Sequence, residues 1–252
     1  CLPRCSTSMM NGDLGMKCSC TDSTGLNCSA GAARRRWLAQ CSRIGAALAL
    51  AVALPLQASP APAGAPLILV LGDSLSAEYG LARGSGWVAL LEQRLAREKI
   101  AARVVNASIS GDTTSGGRSR LPALLAQHRP THVIVELGGN DALRGLPLAM
   151  TRDNLSAIAR SAKAGGARVL LLGMQVPPNY GRRYGDDFAA LFDAVARAEG
   201  AALVPFLLKG VADGPDPQAL FQPDRIHPLA SAQPIMLGNV WPALRPLLAN
   251  RR

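Results

Sequence analysis

The chain has 252 residues, which is enough for one sizeable hydrophobic core or two small ones. A hydrophobic fraction of 48% and a charged fraction of 17% are typical of a globular protein and exclude disorder along the whole chain. The formal net charge is +10, but the arginines are scattered and aromatic residues make up only 4%. This pattern does not favour nucleic-acid binding, for which cations cluster on one face beside aromatic residues.

The first 33 residues show no hydrophobic period, and we interpret them as a non-native or disordered extension. All six cysteines lie within the first 41 residues, so we expect neither disulfides nor cysteine ligands in the rest of the chain. The sequence leaves the true start open, because the chain begins with cysteine and Met9, Met10 and Met16 are all candidates.

Residues 34–63 have the layout of a secretory signal peptide. Arg34–Arg36 supply a positive end, Ile44–Leu56 form an apolar run, and small residues follow. We therefore expect a periplasmic or secreted protein with no stable membrane span after cleavage. An uncleaved N-terminal anchor is the alternative.

From Pro66 onward, short apolar runs alternate with longer segments whose apolar residues recur at helical spacing. Five runs predict buried strands, at Leu67–Leu71, Ala102–Asn106, His132–Leu137, Arg168–Leu172 and Ala202–Phe206. Predicted helices cover Trp87–Glu98, Gly116–Gln127, Thr151–Ala164, Asp186–Glu199 and Ala230–Leu248, the last interrupted by Pro234 and Pro242. This alternation predicts one α/β domain over residues 64–252, a three-layer α/β/α sandwich around a parallel five-stranded sheet.

Ligands bind such sheets beyond the carboxyl ends of the strands, and acyl-transfer chemistry can be assembled from the residues there. Ser74 is a candidate nucleophile, His227 a candidate base, and Asp224 a carboxylate that orients the imidazole. A backbone N–H at Gly111 and the side-chain amide of Asn140 are candidate donors to the oxyanion of a tetrahedral intermediate.

Each of these residues has another possible role. Ser74 and Asn140 could be ordinary cap or turn residues. Gly111 could be present only because the backbone there adopts a positive φ. We expect Asp73 to hold the turn at the serine, and three other carboxylates remain rivals of Asp224 for the acidic role: Glu78, Asp112 and Asp141.

The four blocks together resemble the GDSL, or SGNH, hydrolase family, which is named for serine, glycine, asparagine and histidine in separate blocks. The matching residues are Ser74, Gly111, Asn140 and His227, and residues 224–227 have the Asp-x-x-His form. The phrases Leu69–Ala77, Gly138–Gly145 and Pro178–Tyr184 are most similar to the periplasmic thioesterase I, lysophospholipase and arylesterase group.

This resemblance implies a flavodoxin-like fold, a shallow active site, and catalysis without a metal or cofactor. It also implies an oxyanion hole from the N–H groups of Ser74 and Gly111 and the Asn140 amide. The expected substrate is a small acyl ester or thioester, and the expected state is a monomer. We expect substrate contacts from Asp73, Leu75, Asp141, Leu143 and Pro178.

Two alternatives remain open. An esterase of the same fold could act on acetylated carbohydrate, although the mostly apolar loop 142–150 favours an acyl chain. The glycine-rich stretch Ser110–Gly117 could instead cradle a phosphate or mononucleotide in a flavodoxin-like binding protein.

Overall fold

A computed structural model describes residues 64–249 of the chain. The extension predicted over residues 1–33 and the signal peptide predicted over residues 34–63 lie outside this range, as do all six cysteines. Within residues 64–249, no helix combines the length and the apolar character that crossing a membrane requires.

The core is a five-stranded sheet in which every neighbouring pair is parallel, with the order β2-β1-β3-β4-β5. This is the flavodoxin-like order, in which the chain switches direction of winding between β1 and β3. The strands are β1 (Leu67–Gly72), β2 (Arg103–Asn106), β3 (His132–Glu136), β4 (Arg168–Leu172) and β5 (Ala202–Val204).

The prediction that all five strands are buried is correct for the three central strands and wrong for the two edges. β2 exposes Arg103 and Asn106, and in β5 only Val204 is buried. An edge strand has a neighbour on one side only, so the solvent reaches residues that a central position would cover.

Residues 64–249 include six α-helices, which flank the sheet. They are α1 (Trp87–Arg97), α2 (Thr114–His128), α3 (Gly139–Leu143), α4 (Leu148–Ala164), α5 (Arg182–Glu199) and α6 (Gln233–Ala249). α1 and α6 contact each other and pack on one face, while α2, α4 and α5 pack on the other. The predicted three-layer α/β/α sandwich is confirmed.

Three helices begin before their predicted starts. α2 begins at Thr114, two residues early, because the Thr113 side chain accepts a hydrogen bond from the Gly116 amide. α4 and α5 begin three and four residues early, without a side-chain cap. The short α3 was not predicted, since five residues are too few to show a helical period.

The last helix was predicted to be interrupted by two prolines, but it is continuous. Pro234 lies in the first turn of α6, where its missing N–H has no intrahelical partner to lose. Pro242 lies inside the helix but on its exposed side, while Val240, Trp241 and Leu244 are buried on the other side. Burial of this apolar face holds the helix together across the proline.

Candidate active site

Ser74 lies in a tight turn at the carboxyl end of β1. The amides of Ser76 and Ala77 donate to the carbonyl oxygen of Asp73 at 3.3 and 3.0 Å. The Leu75 amide donates to Asp73 Oδ1 at 3.0 Å, so the aspartate before the serine closes the turn. The turn leaves Ser74 partly exposed at the edge of the sheet where ligands bind.

His227 lies between Ser74 and Asp224 and is hydrogen-bonded to both. Its Nε2 is 2.9 Å from Ser74 Oγ, and its Nδ1 is 2.7 Å from Asp224 Oδ2. Asp224 Oδ1 also accepts the backbone amides of Ile226 and His227, at 2.9 and 3.0 Å. The hydrogen bonds from His227, backbone first, favour the charged form and lower the pKa of Asp224 to about 2.

Gly111 follows β2 in a loop whose backbone requires glycine. Its φ is +78°, in the left-handed region that side chains disfavour. The Arg144 guanidinium, from the loop after α3, donates to the Gly111 carbonyl oxygen at 2.7 Å. The loops that follow β2 and β3 are thereby joined directly beside Ser74.

Asn140 lies in the first turn of α3, immediately after β3, and donates from Nδ2 to Asp73 Oδ2 at 2.9 Å. The second amide proton of Asn140 meets no protein acceptor within residues 64–249. In the same range, the backbone amides of Ser74 and Gly111 donate to no other protein group. Three donors on three separate loops are therefore available to a ligand.

Of the five residues predicted to contact substrate, three are at least partly exposed and two are buried. Leu75 is half-buried in the Ser74 turn, and Leu143 is 45% exposed at the end of α3, the helix that carries Asn140. Pro178 is also exposed, but it lines a concavity formed by the loop after β4 and the start of α5, not by the loops that carry Ser74 and His227.

Asp73 and Asp141, two of the five predicted substrate contacts, are buried. Asp73 is 2% exposed and Asp141 is fully buried. Asp141 accepts hydrogen bonds from the amide and hydroxyl of Thr114 and from the hydroxyl of Thr151. Both carboxylates bind the protein's own donors and hold loops in place.

The rivals of Asp224 are occupied elsewhere. Glu78 accepts the amides of Gly84 and Gly86 and so holds the entry to α1. Asp112 forms an ion pair with Arg120 at 2.8 Å. With Asp141 buried against two threonines, Asp224 is the one of these four carboxylates that contacts His227.

The glycine-rich stretch 110–117 is not arranged to hold a phosphate. Its amide at Thr114 donates to Asp141, and its amide at Thr113 donates to the Asp112 side chain at 2.9 Å. The Gly116 and Gly117 amides donate within the same turn. These N–H groups cap α2 internally, so they are not available to an anion.

Sequence reasoning missed three residues at the site: Tyr79, Glu136 and Arg144. The Tyr79 ring packs on the His227 ring at a centroid distance of 4.2 Å. Glu136 ends β3 and is fully buried beneath the Ser74 turn. A charged residue inside the apolar run 132–137 was a visible signal, because buried carboxylates are rare unless they have a specific task.

The largest exposed apolar side chains of the described residues surround this site. They are Tyr79, Ile109, Leu143 and Ile226, each between 45% and 54% exposed. Each lies within five residues of Ser74, Gly111, Asn140 or His227 along the chain. Within residues 64–249, no group of three or more histidine, cysteine, aspartate or glutamate side chains has an arrangement that could hold a metal ion.

A parallel α/β/α sandwich with a hydrogen-bonded serine, histidine and aspartate at the carboxyl edge of its sheet defines a class of hydrolases. Within that class, the chain belongs to the GDSL-like lipase/acylhydrolase family, whose model matches residues 70–233.

Characterised relatives match the same region. The esterase TesA of Pseudomonas aeruginosa is 56% identical over 184 residues, which are 73% of this chain and 90% of the relative. The thioesterase 1/protease 1/lysophospholipase L1 of Escherichia coli is 43% identical over 184 residues, with 73% and 86% covered. The crystal structure of the psychrotrophic esterase EstA from Pseudoalteromonas, inhibited by monoethylphosphonate, superposes with a TM-score of 0.68. It is 40% identical, and the match covers 73% of this chain and 99% of that one.

Proposed function

We propose that this protein is a serine esterase that hydrolyses carboxylic ester or thioester bonds through an acyl-enzyme on Ser74. The observation that carries the proposal is the pair of hydrogen bonds of His227, to Ser74 Oγ at 2.9 Å and to Asp224 Oδ2 at 2.7 Å. A serine hydroxyl is a weak nucleophile until an adjacent base removes its proton, and a carboxylate at Nδ1 leaves Nε2 free to accept that proton.

In the first half of the reaction, Ser74 Oγ attacks the acyl carbon while His227 Nε2 takes its proton. The tetrahedral intermediate then collapses, and the alcohol or thiol leaves with that proton from His227. In the second half, His227 takes a proton from water, the hydroxide attacks the acyl-enzyme, and Ser74 leaves as its hydroxyl. Asp224 stays ionised throughout and stabilises the imidazolium that forms twice per turnover.

The oxyanion of both intermediates is stabilised by three donors that we assign to the amides of Ser74 and Gly111 and to Asn140 Nδ2. Such donors act strongly because they are fixed in place before charge develops. The Asp73 hydrogen bond to Asn140 and the Arg144 hydrogen bond to Gly111 hold two of these loops in place.

The substrate is an ester or thioester with an apolar acyl or aryl part. The four exposed apolar side chains around Ser74 give such a group a surface on which to bury. The related proteins named esterase, thioesterase and lysophospholipase act on bonds of this kind, and the inhibition of EstA by a phosphonate is consistent with a nucleophilic serine.

A series of p-nitrophenyl esters from acetate to palmitate, assayed with wild type and with Ser74→Ala, tests this function. We expect the wild type to hydrolyse part of the series and Ser74→Ala to retain only background hydrolysis. Equal activity in the two proteins would remove Ser74 from the mechanism. No activity in either protein, with both folded by circular dichroism, would refute the esterase assignment.

For the whole chain we propose that residues 34–63 direct export and that the hydrolase domain, residues 64–252, works as a monomer in the periplasm or outside the cell. Arg34–Arg36 and the apolar run Ile44–Leu56 support this assignment. Fractionation of cells that express the chain from Met16, followed by mass spectrometry of the product, tests it. An unprocessed product confined to the cytoplasm would contradict it, and size-exclusion chromatography tests the monomer.

A further inference from the structure

Two buried carboxyl groups lie directly beneath the Ser74 turn. Glu136 is 0% exposed and Asp73 is 2% exposed. Glu136 Oε2 accepts the Asp73 amide at 3.2 Å and the Ser76 hydroxyl at 2.8 Å, so the two acidic residues are neighbours. Two negative charges this close, without water, repel each other strongly.

The hydrogen bonds distinguish the two groups. Both Asp73 oxygens accept: Oδ1 from the Leu75 amide, and Oδ2 from Asn140 Nδ2 at 2.9 Å. By contrast, Glu136 Oε1 is buried and receives no N–H or O–H donor within residues 64–249. An ionised carboxylate is an acceptor at both oxygens and is stabilised by donors at both, whereas a protonated oxygen carries its own hydrogen and needs no donor.

We infer that Asp73 and Glu136 share one proton, held on Glu136, and that the resulting Asp73 carboxylate fixes the Asn140 amide with its second N–H directed to the oxyanion. The inference deepens the proposed function and rests on it, since it gives Asp73 and Glu136 positioning roles in the same reaction. Neither residue touches the substrate.

The orientation of Asn140 follows from charge. An asparagine amide can be turned by 180° at little cost when its surroundings are neutral. Here the turned amide would set its carbonyl oxygen against the Asp73 carboxylate, and the repulsion excludes that orientation. A protonated Asp73 would tolerate both orientations, and the turned amide would not offer the Asn140 donor to the oxyanion.

The electrostatic surroundings agree with this assignment. Burial, followed by the negative charge of Asp73, raises the pKa of Glu136 well above its usual range. Burial raises the pKa of Asp73 only to about 6, because hydrogen bonds from Leu75 and other donors favour its charged form. The other titratable groups near the pair are His227 and the Arg120–Asp112 ion pair, whose guanidinium donates to the Gly72 carbonyl oxygen.

Glu136→Gln tests the shared proton through stability. The glutamine amide donates where the protonated carboxyl did, but it cannot ionise. In the wild type, Glu136 is protonated when folded and ionised when unfolded, so wild-type stability falls as pH rises through and above the usual range of a glutamate pKa. We expect the melting temperature of Glu136→Gln, relative to wild type, to rise across that range. The exposed substitution Glu92→Gln is the matched control, with a constant difference. A constant difference for Glu136→Gln would overturn the inference.

Infrared spectroscopy gives a direct reading. At neutral pH the wild type should show the C=O stretch of a protonated carboxyl, and Glu136→Gln should lack it. Absence of the band in the wild type would also overturn the inference. Both experiments can be repeated in the Ser74→Ala background, where catalysis is absent. Failure of the esterase assignment and failure of the shared proton are therefore distinguishable.

The positioning role is tested by the split between kcat and KM. Asp73→Asn should lower kcat for a p-nitrophenyl ester about tenfold or more, with KM nearly unchanged, because the anchored donor acts in the transition state. Glu136→Ala should lower kcat as well, and glutamine at the same position should restore most of the loss. A kcat of Asp73→Asn within about twofold of wild type would contradict the role.

Discussion

Asp224 and His227 are three residues apart, so one turn positions both. The carboxylate binds the imidazole with Oδ2 and the backbone amides of Ile226 and His227 with Oδ1. Arg225 lies between them with a φ of +58°, and this tight turn lets the His227 ring reach the Asp224 carboxylate. Since the pKa of Asp224 is about 2, the carboxylate is an anion wherever a histidine can act as a base.

We expect Asp224→Asn to lower kcat by about 100-fold to 10,000-fold, because an amide at Nδ1 favours the wrong imidazole tautomer. The melting temperature should change little, since the side chain is 37% exposed. Steady-state kinetics and thermal unfolding check this, with the exposed substitution Asp186→Asn as control. A variant that retained a third of wild-type kcat would show that another group orients His227.

Asn140→Ala tests the oxyanion assignment. Loss of one such donor should reduce turnover by about 100-fold to 1000-fold, with the fold preserved. The exposed Asn179→Ala, on the loop after β4, is the control and should keep wild-type kcat. Near-normal turnover of Asn140→Ala would place the oxyanion elsewhere.

At the scale of secondary-structure elements, the last residue of β1, Gly72, has no room for a larger side chain. A Cβ on Gly72 would lie 2.8 Å from both Ser108 Oγ and Ser76 Oγ and 2.9 Å from Glu136 Oε2. These oxygens belong to the loop after β2, the Ser74 turn and β3. The glycine therefore lets three elements approach one point beneath the nucleophile.

Gly72→Ala should lower the free energy of unfolding by about 1–3 kcal/mol, the usual effect of overpacking a core. Gly238→Ala is the matched control, because a Cβ there, on the exposed side of α6, meets nothing within 4 Å. It should raise stability by up to about 1 kcal/mol through helix propensity. Urea denaturation measures both, and a Gly72→Ala variant as stable as wild type would contradict the close approach.

The elements that the sequence predicted best are those in which burial and local pattern agree. β4 was predicted at both ends, because the apolar run Val169–Leu172 follows Arg168 and a nearby glycine pair, Gly165 and Gly166. α6 was predicted to within three residues at each end, but its continuity was not, since Pro242 breaks the local rule and contacts with distant elements hold the helix together. Local patterns carry no information about those contacts.

At the scale of the whole molecule, strand alternation located the site but not the directions of its side chains. Ser74 and His227 are 153 residues apart, and their meeting followed from the parallel sheet and from the family resemblance. The burial of Asp73 and Asp141 could not be predicted in the same way, because a carboxylate after a strand can point to solvent or inward with the same local sequence. Neighbouring elements decide that direction, as Thr114 and Asn140 do here.

The proposed mechanism requires Ser74 to be a nucleophile that His227 activates. Labelling with a fluorophosphonate, followed by mass spectrometry of the digested protein, is a direct test of this activation. We expect one phosphonyl group on Ser74, with no labelling of Ser74→Ala and a labelling rate lowered by orders of magnitude in His227→Ala. A label on another residue, or equal labelling of wild type and His227→Ala, would contradict it.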